Sequence, residues 1–485
     1  MAIDPVDLFD IQGNILRGYR SFHCARFLFF HLDSDRAGRV FVENLLDWVT
    51  PGAWLKRPTV ATNIAFTFRG LSALRLQAES LASFPPEFQE GMRDRAVLLG
   101  DIGDCDPRHW DKPWGCPQLH LLVTCYAEDP NNLDRYCTDL AAKVPDGVKE
   151  LLPRQDAAAL VVGGTSTRFE HFGFVDGISN PDVEGVPDNG GPGDTGNPDQ
   201  NGGFRKIPLG EFILGHRSEG GEVPPMPAPR LLARNGSFLV VRKLEQDVVA
   251  FRKFLREKSI VLKQVLGDDT LSDADARALL AAKMMGRWRD GSPLDLYPTK
   301  AAGDPSNNFG YVDDLDGARC PLGAHIRRAN PRASLGFGGN LVRRRRLIRR
   351  GIPYGKYLPD VDGTDTGADG RRGIMFLAFC SSIDHQFEFL QRDWLNYGDE
   401  FRQGNDTDPI AGARYGDGRA VVPDEENRGS DRTGRMVIPG DERTGRPPFL
   451  CCDIPRFVTT KGGDYFFAPS LTALRLLATG KVVVS

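Results

Sequence analysis

One acidic residue interrupts an aromatic and glycine-rich segment, FEHFGFVDGISNP, which runs from Phe169 to Pro181. Asp176 lies there between Gly173 and Gly177. An Asp-Gly pair is most often a simple turn, because glycine adopts positive φ and aspartate bonds its own backbone. The alternative is catalytic: glycines let the backbone approach a flat ligand, while aromatic side chains exclude water from an acid that transfers a proton. The segment alone leaves both interpretations open.

The chain has eight histidines, and the surroundings of His325 differ from those of the others. In ARCPLGAHIRRANPR, His325 follows the small residues Gly323 and Ala324 and precedes Arg327 and Arg328. A zinc site would need three or four closely spaced ligands, and neither HExxH nor paired CxxC occurs. A haem needs one axial imidazole, small neighbours and cations for its propionates. The segment therefore makes His325 a candidate haem ligand, with a packed histidine as the alternative.

Two further charged segments have simpler interpretations. The run NLVRRRRLIRRGIPYG is either a solvated basic surface or a strand whose inward arginines need an anionic partner, which a haem pocket would provide. The loop DVDGTDTGADG fails as a calcium loop, because Asp365 stands at its sixth position and Arg371 at its twelfth. We predict a solvated loop. No P-loop, GxSxG or strand-linked GxGxxG occurs, so nucleotide and serine-hydrolase chemistry lack support.

Composition indicates an ordinary globular protein of two domains. The chain has 485 residues, of which 40% are hydrophobic and 26% charged, and its net charge is −4. These values give no reason to expect nucleic acid or a membrane as a partner. No apolar run is long enough to cross a bilayer, no secretory signal is visible, and nine cysteines without CxxC spacing fit reduced thiols. We expect a cytoplasmic protein, unless the chain is a processed form, and the oligomeric state is open.

The elements that must position these residues follow a repeated order. In the first half, CARFLFFHL, NIAFTFRGL, QLHLLVTCYA and DAAALVV are β-type, while RVFVENLLDWV and NNLDRYCTDLAAKV have helical spacing. The order βαββαβ indicates an antiparallel sheet with helices on one face. A polar stretch at 183–204 follows, and a similar order restarts at SFLVVRKL. We predict an α+β protein of two ferredoxin-like domains, 1–235 with the Asp176 loop and 236–485.

Five segments, in this order, resemble the dye-decolourising peroxidase family: DIQGNILRGY, GFVDGISNP, CPLGAHIRRANPR, RRGIPYG and GIMFLAFCSSIDHQFEFLQRDW. The longer C-terminal elaboration resembles the larger branch of that family. The resemblance implies two ferredoxin-like domains, with haem b held in the C-terminal one. It also implies hydrogen peroxide as oxidant and bulky aromatic donors, such as anthraquinone-type dyes and phenolics, as one-electron reductants. The alternative is a haem-binding, haem-carrier or iron-releasing protein with incidental peroxidase activity.

The resemblance also assigns roles to individual residues. The family's GxxDG motif falls on Gly173, Asp176 and Gly177, which makes Asp176 the distal acid, and the iron ligand falls on His325. The distal arginine falls on Arg349, with its neighbour Arg350 as the alternative. Both Asp176 and Arg349 favour an enzyme over a carrier, because a carrier needs no acid/base pair. Further cofactor contacts are implied for Ile178, Ser179, Arg327, the apolar residues Leu377 and Phe379, and a proximal acid at Asp384 or, one helical turn later, Glu388.

Overall fold

The computed structural model describes residues 6–161, 167–186, 206–268, 270–359, 370–414, 434–440 and 445–481. Most of the predicted solvated loop at 360–370 and most of the polar stretch at 183–204 therefore lie outside the described residues. The described strands are β1 Cys24–Leu32, β2 Val60–Phe66, β3 Leu121–Ala127, β4 Val148–Ala158, β5 Leu160–Val161, β6 Arg168–Phe169, β7 Ser237–Gln246, β8 Ile348–Arg349, β9 Ile352–Tyr354, β10 Gly373–Cys380, β11 Gly434–Ile438, β12 Phe449–Ile454 and β13 Val458–Ala468.

The helices surround this sheet system. The described α-helices are α1 Gly13–Leu16, α2 Asp35–Leu45, α3 Phe68–Ala73, α4 Ala78–Ala82, α5 Pro86–Glu90, α6 Pro130–Ala141, α7 Arg230–Ala233, α8 Val248–Leu266, α9 Asp273–Met285, α10 His325–Ala329, α11 Asn340–Arg343 and α12 Leu471–Thr479. Two π-helical segments, Ile383–Glu388 and Leu390–Leu395, follow β10. Within these described ranges, no helix combines the length and the apolar character that crossing a bilayer requires.

The first half folds as β1-α2-β2 followed by β3-α6-β4, with strand order β4-β1-β3-β2 and antiparallel pairing throughout. Strands β2 and β3 are buried at every position, which explains why their sequences are mostly apolar. The edge strand β4 is mostly half-buried or exposed. Its first residues, VKELLPRQ, therefore show no alternation of apolar and polar side chains. For this reason the sequence predicted only the end of the strand, at DAAALVV.

The second half repeats this arrangement. Its strands lie in the order β13-β7-β10-β8, and β9 also pairs with β10. Helix α8 follows β7, and the π-helical segments follow β10. Counted along the chain within each half, both sheets have the order 4-1-3-2 of a ferredoxin-like unit. The predicted α+β class with two ferredoxin-like units is confirmed.

The two halves share one continuous sheet. Strand β2 of the first half pairs with β13 of the second at Phe66 and Phe467, which gives nine strands in all. At the two ends of the sheet, β4 and β9 contact each other, and α12 packs on α2. The second half thus begins near the predicted division at 235/236, where β7 starts at Ser237. The domain boundary itself stays a prediction.

The arginine run is not a strand. Residues 340–343 form α11, a turn follows, and the strand begins only at Ile348. The buried Arg343 pairs with Glu219 at 2.8 Å, and the Arg345 guanidinium lies 3.7 Å from the Phe389 ring centroid. Of the two interpretations, the strand with alternating arginines is therefore wrong for this run, because its first residues are helical.

Candidate active site

His325 is held by a buried carboxylate. It is the first residue of α10, and its Nδ1 lies 3.0 and 3.1 Å from the two carboxylate oxygens of Asp408. Burial opposes protonation, but the charge and hydrogen bond of Asp408 raise the pKa of His325. Asp408 is itself fully buried and also accepts hydrogen bonds from the backbone N–H groups of Ile410 and Ala411. With Nδ1 bound in this way, Nε2 of His325 has no hydrogen-bond partner among the described residues.

The predictions of Asp384 or Glu388 as the acid beside this imidazole are wrong. Asp384 is 41% exposed and lies 3.7 Å from Arg392. Glu388 is buried, but it accepts two hydrogen bonds from Arg95 and one from Tyr465. Sequence reasoning missed Asp408, which lies in an irregular loop 83 positions beyond the histidine.

The loop that carries Asp176 is organised by a second buried acid. Glu170 accepts hydrogen bonds of 2.9 Å from the backbone N–H groups of Phe172 and Phe174, and one of 2.6 Å from Gln246. A carboxylate is suited to this task because it accepts several hydrogen bonds at once. Gly173, between the two phenylalanines, has φ +93°, and a Cβ there would lie 2.8 Å from Arg289. The loop geometry therefore requires glycine at this position.

Asp176 is fixed at one oxygen only. Its Oδ1 accepts the backbone N–H of Gly177 at 2.6 Å, and its own N–H donates to the carbonyl of Arg168. Gly177 has φ +74°, and its carbonyl accepts a hydrogen bond from Arg20. The turn interpretation is thus correct as local structure. Oδ2 of Asp176 has no hydrogen-bond partner among the described residues. The same turn therefore leaves one carboxylate oxygen available to a ligand in the cavity that Asp176 lines.

Adjacent arginines have different environments. The guanidinium of Arg350 donates hydrogen bonds of 2.9–3.0 Å to the carbonyls of Asn14, Ile15 and Leu16, and so anchors the first helix. Arg349 is exposed, and its Nη2 donates to the carbonyl of Ser179 at 3.1 Å. The Arg350 side chain is thus occupied by the backbone, which supports Arg349 as the arginine available to a ligand.

Strand pairing corrects the predicted apolar residues. In the antiparallel pair of β8 and β10, Arg349 lies opposite Ala378, so these two side chains share a face of the sheet. Because side chains alternate along a strand, Leu377 and Phe379 point to the opposite face. Both are completely buried in the main core. The prediction that Leu377 and Phe379 are the apolar side chains beside Arg349 is therefore wrong, because the residues on that face are shifted by one position along the strand.

The face of β10 that carries Arg349 has two other apolar side chains. Ile374 and Phe376 are half-buried, whereas the residues between and after them are buried. The Phe376 ring lies 6.4 Å from the ring of Phe387, which belongs to the first π-helical segment. These residues, rather than Leu377 and Phe379, lie on the sheet face of Arg349.

The expected cofactor cation at Arg327 is engaged elsewhere. Its buried guanidinium donates to a carboxylate oxygen of Asp314 at 2.9 Å and to the Cys320 carbonyl at 2.6 Å. A different pair is concentrated near the Asp176 loop. Arg332 and Arg287 are both buried, and burial together with the charge of Arg332 lowers the pKa of Arg287 to about 10. Arg287 donates to the carbonyls of Gly291 and Ser306, and Arg332 donates to those of Asn307 and Phe309, so both guanidiniums are bound by the protein itself.

A cavity of about 1140 Å³ connects the distal residues. Asp176, Gly177, Ile178 and Arg349 all line it. Ser179, the next predicted contact, donates a hydrogen bond of 2.8 Å to Asn307. Arg349 also influences His325, because its charge opposes protonation of the imidazole. Asp176 and Arg349 therefore line one cavity, whereas His325 is not among its lining residues. That all three act together stays a prediction.

The donor chemistry of this region fits a haem better than a bare metal ion. Among the described residues, no group of three or more His, Cys, Asp or Glu side chains could hold a metal. A single imidazole with a free Nε2 is sufficient when a macrocycle provides the other four nitrogens. The carboxylate on Nδ1 is the partner that fixes the tautomer of an iron-binding histidine.

Comparisons with known proteins agree with this site. Residues 10–157 match the family described as "DyP dimeric alpha+beta barrel domain", and residues 231–415 match "Dyp-type peroxidase, C-terminal". The chain is 31% identical to dye-decolorizing peroxidase msp1 of Mycetinis scorodonius, over 97% of this chain and 87% of that protein. It is 29% identical to dye-decolorizing peroxidase AauDyP1 of Auricularia auricula-judae, over 98% and 87%.

Solved structures give the same result. An ancestral D-type dye-decolorizing peroxidase superposes with a TM-score of 0.80 at 29% identity, over 97% of this chain and 99% of that one. A dye-decolorizing peroxidase in complex with 2,6-dimethoxyphenol superposes with a TM-score of 0.77 at 27% identity, over 98% and 100%.

Fold and site thus define a haem peroxidase of two ferredoxin-like units. The chain belongs to the dye-decolourising peroxidase family. It is an oxidoreductase that uses peroxide to oxidise aromatic donors, and its cofactor is haem.

Proposed function

We propose that this peroxidase holds haem b through Nε2 of His325 and acts on peroxide with Asp176 and Arg349. The hydrogen bond between His325 and Asp408 carries the proposal, because it leaves one imidazole nitrogen available to the iron. When bound, the haem supplies the two-electron reduction of peroxide and the one-electron oxidation of donors.

Asp408 positions the proximal ligand. Its carboxylate accepts the Nδ1 proton of His325 and so fixes the ring orientation and increases the basicity of Nε2. Its own orientation is maintained by the backbone N–H groups of Ile410 and Ala411, at 2.9 and 2.7 Å. Hydrogen bonds within the protein therefore fix the orientation of both His325 and Asp408.

Asp176 and Arg349 act on the peroxide. Oδ2 of Asp176 would accept the proton of the inner peroxide oxygen and return it to the outer oxygen, which then leaves as water. Arg349 would offset the negative charge that develops on that outer oxygen. Glu170 keeps the loop in place through Phe172 and Phe174.

The reducing substrates are proposed to be bulky aromatic molecules, namely anthraquinone-type dyes and phenolics. The relatives named as dye-decolorizing peroxidases and the neighbour bound to 2,6-dimethoxyphenol support this choice. A cytoplasmic location is part of the same proposal, and the nine unpaired cysteines support it.

Haem loading of two variants tests the assignment. Purified wild-type protein, His325→Ala and the exposed control His109→Ala are each titrated with hemin, and bound haem is extracted and identified. We expect stoichiometric, non-covalent haem b in the wild type and the control. His325→Ala should lose stable binding or histidine ligation in its absorption and resonance Raman spectra. Unchanged spectra and haem content in His325→Ala would contradict the proposal.

A further inference from the structure

The C-terminal end of α9 lies directly against the short helix that begins with His325. Gly286 caps α9 in the left-handed region, with φ +96°. A Cβ at Gly286 would overlap with Cγ1 of Ile326 and lie 3.5 Å from Cβ of Ala324, and these are the two chain neighbours of His325. A helix of five residues, such as α10, is too short to be stable alone. Contacts with other elements therefore determine where α10 lies.

Lys283, in the last turn of α9, binds the loop 314–320, which precedes His325 in the chain. Lys283 is buried, and its Nζ donates hydrogen bonds to the carbonyls of Ala318, at 3.2 Å, and Arg319. Burial lowers the pKa of Lys283 to about 8, so enclosing this cation has a cost. An apolar side chain would avoid that cost. The lysine therefore contributes its two carbonyl contacts, which attach the loop to α9.

A buried ion pair connects the same loop to the residues that follow His325. The carboxylate of Asp314 accepts the backbone N–H groups of Arg319 and Cys320, at 2.8 and 2.9 Å. Arg327, on α10, donates to that carboxylate at 2.9 Å and to the carbonyl of Cys320 at 2.6 Å. The two side chains of the ion pair are 0% and 3% exposed. Because separating a buried ion pair is costly, the loop and α10 are held together.

We propose that Lys283 and Gly286 are positioning residues, which determine the position of His325 by holding α10 from the end of α9. Gly286 acts by direct contact with α10, and Lys283 acts through the ion-paired loop. The proposal rests on the proposed function only in taking His325 to be the iron ligand. It adds two residues that touch neither the imidazole nor its carboxylate partner.

A shift of α10 would change the imidazole. His325 is the first residue of α10, and its Nδ1 lies 3.0 Å from Oδ2 of Asp408, which belongs to a different segment. Movement of the helix would therefore lengthen this hydrogen bond. A weaker hydrogen bond lowers the basicity of Nε2, so an iron bound there would receive less electron density from the imidazole.

Hydrogen–deuterium exchange of the full-length, haem-loaded protein tests whether α9 holds α10. Lys283→Met removes both carbonyl contacts and keeps an unbranched apolar side chain. The amides of residues 325–330 should exchange about tenfold faster or more, because hydrogen bonds from a charged donor are lost. Lys263→Met removes an ion pair with Asp273 at the other end of α9 and should leave this exchange unchanged. Unchanged exchange at 325–330 in Lys283→Met would overturn the proposal.

Resonance Raman spectra of the ferrous protein test the effect on the iron ligand. In Lys283→Met and in Gly286→Ala, the iron–histidine stretching frequency should decrease and the Fe(III)/Fe(II) potential should become less negative. Leu377→Ala removes a core side chain and controls for lost stability alone, so it should retain both wild-type values. Wild-type values in both α9 variants would overturn the proposal. If Lys283→Met does not fold, Gly286→Ala decides by the same two measurements.

The proposed function is tested separately by the spectra of the wild type and His325→Ala. A wild type without an iron–histidine stretching band would contradict the proposed function, and exchange at 325–330 would still decide whether α9 holds α10. A wild type with that band, together with α9 variants that keep its exchange rate and frequency, would contradict the positioning role alone.

Discussion

Nδ1 of His325 lies 3.0 Å from Oδ2 of Asp408, a carboxylate that is completely buried and also receives two backbone N–H groups. This arrangement fixes the imidazole ring and its tautomer at the same time. It joins α10 to a loop far along the chain. The orientation of His325 is therefore determined by tertiary structure rather than by the local motif around the histidine.

Asp408→Asn should weaken haem affinity or turnover about 10- to 100-fold, the usual effect of losing the partner of a metal-binding histidine. The asparagine retains an acceptor for one backbone N–H, so the loop should stay folded. Hemin titration and steady-state peroxidase assays measure the effect. Asp384→Asn, which changes a partly exposed acid paired with Arg392, serves as the control and should behave as wild type. An equal loss in both variants would contradict the assignment of Asp408.

Replacing Arg349 should affect mainly the rate of the peroxide reaction, whereas replacing Arg350 should affect mainly the stability of the fold. Arg349→Leu should slow the reaction with peroxide about 10²–10³-fold, because it removes the cation next to the developing negative charge. Its effect on stability should be small, since this side chain is exposed. Stopped-flow absorption with excess peroxide measures the rate.

Arg350→Leu should instead lower the free energy of unfolding by about 3 kcal/mol, because three carbonyls of residues 14–16 lose a charged donor. Chemical denaturation measures this loss. If Arg350→Leu slowed the peroxide reaction more than Arg349→Leu while remaining equally stable, the assignment of the two side chains would be reversed.

Register along β10 gives a third prediction. Leu377→Ala creates a cavity in the main core and should cost about 2–5 kcal/mol of stability, with little change in the haem spectrum. Phe376→Ala affects a half-buried side chain on the face of Arg349. It should change the Soret spectrum and the affinity for cyanide while costing less stability. Spectral changes confined to Leu377→Ala would show that the other face of the strand lines the site.

The sequence predicted most strands and helices of the two ferredoxin-like units correctly. It predicted the side-chain contacts around the site less well. Strands such as β1 and β7 and helices such as α6 were visible because their apolar residues recur at regular spacing. Leu377 and Phe379 were misassigned because β10 is almost entirely apolar, so its sequence has no alternation to distinguish the two faces. Arg327 was misassigned because its partner, Asp314, lies in an irregular segment before the histidine motif.

Asp408 could not have been found by spacing. It is followed by proline, and an Asp-Pro pair is typical of a turn. Only the packing of that turn against α10 brings its carboxylate to the imidazole. By contrast, Asp176 and Arg349 were identified from long, unusual segments, and the structure places both in one cavity.

The pH dependence of stability should report on the Asp176 loop. His171 is buried beside that loop and donates from Nε2 to the carbonyl of Tyr354 at 2.8 Å, while burial lowers its pKa to about 4. The unfolded chain, with a histidine pKa of about 6.5, therefore takes up the proton first as the pH falls. The unfolding free energy should decrease by up to about 3 kcal/mol between roughly pH 6.5 and 4.

His171→Gln is the matched variant for this effect. Glutamine retains a donor for the Tyr354 carbonyl but does not titrate, so its unfolding free energy should depend less steeply on pH across that window. Urea denaturation at a series of pH values compares the two proteins. Identical pH profiles would mean that His171 is not the group responsible.

The role of Asp176 is tested most directly by the rate at which Asp176→Asn reacts with hydrogen peroxide. Wild type and variant are loaded with haem, their haem contents are matched, and the pseudo-first-order rate is measured by stopped flow at increasing peroxide concentration. We predict normal haem content in the variant and a second-order rate constant about 10²–10⁴-fold lower, because Oδ2 no longer accepts the peroxide proton. A rate constant equal to that of the wild type would mean that Asp176 serves only as a turn residue.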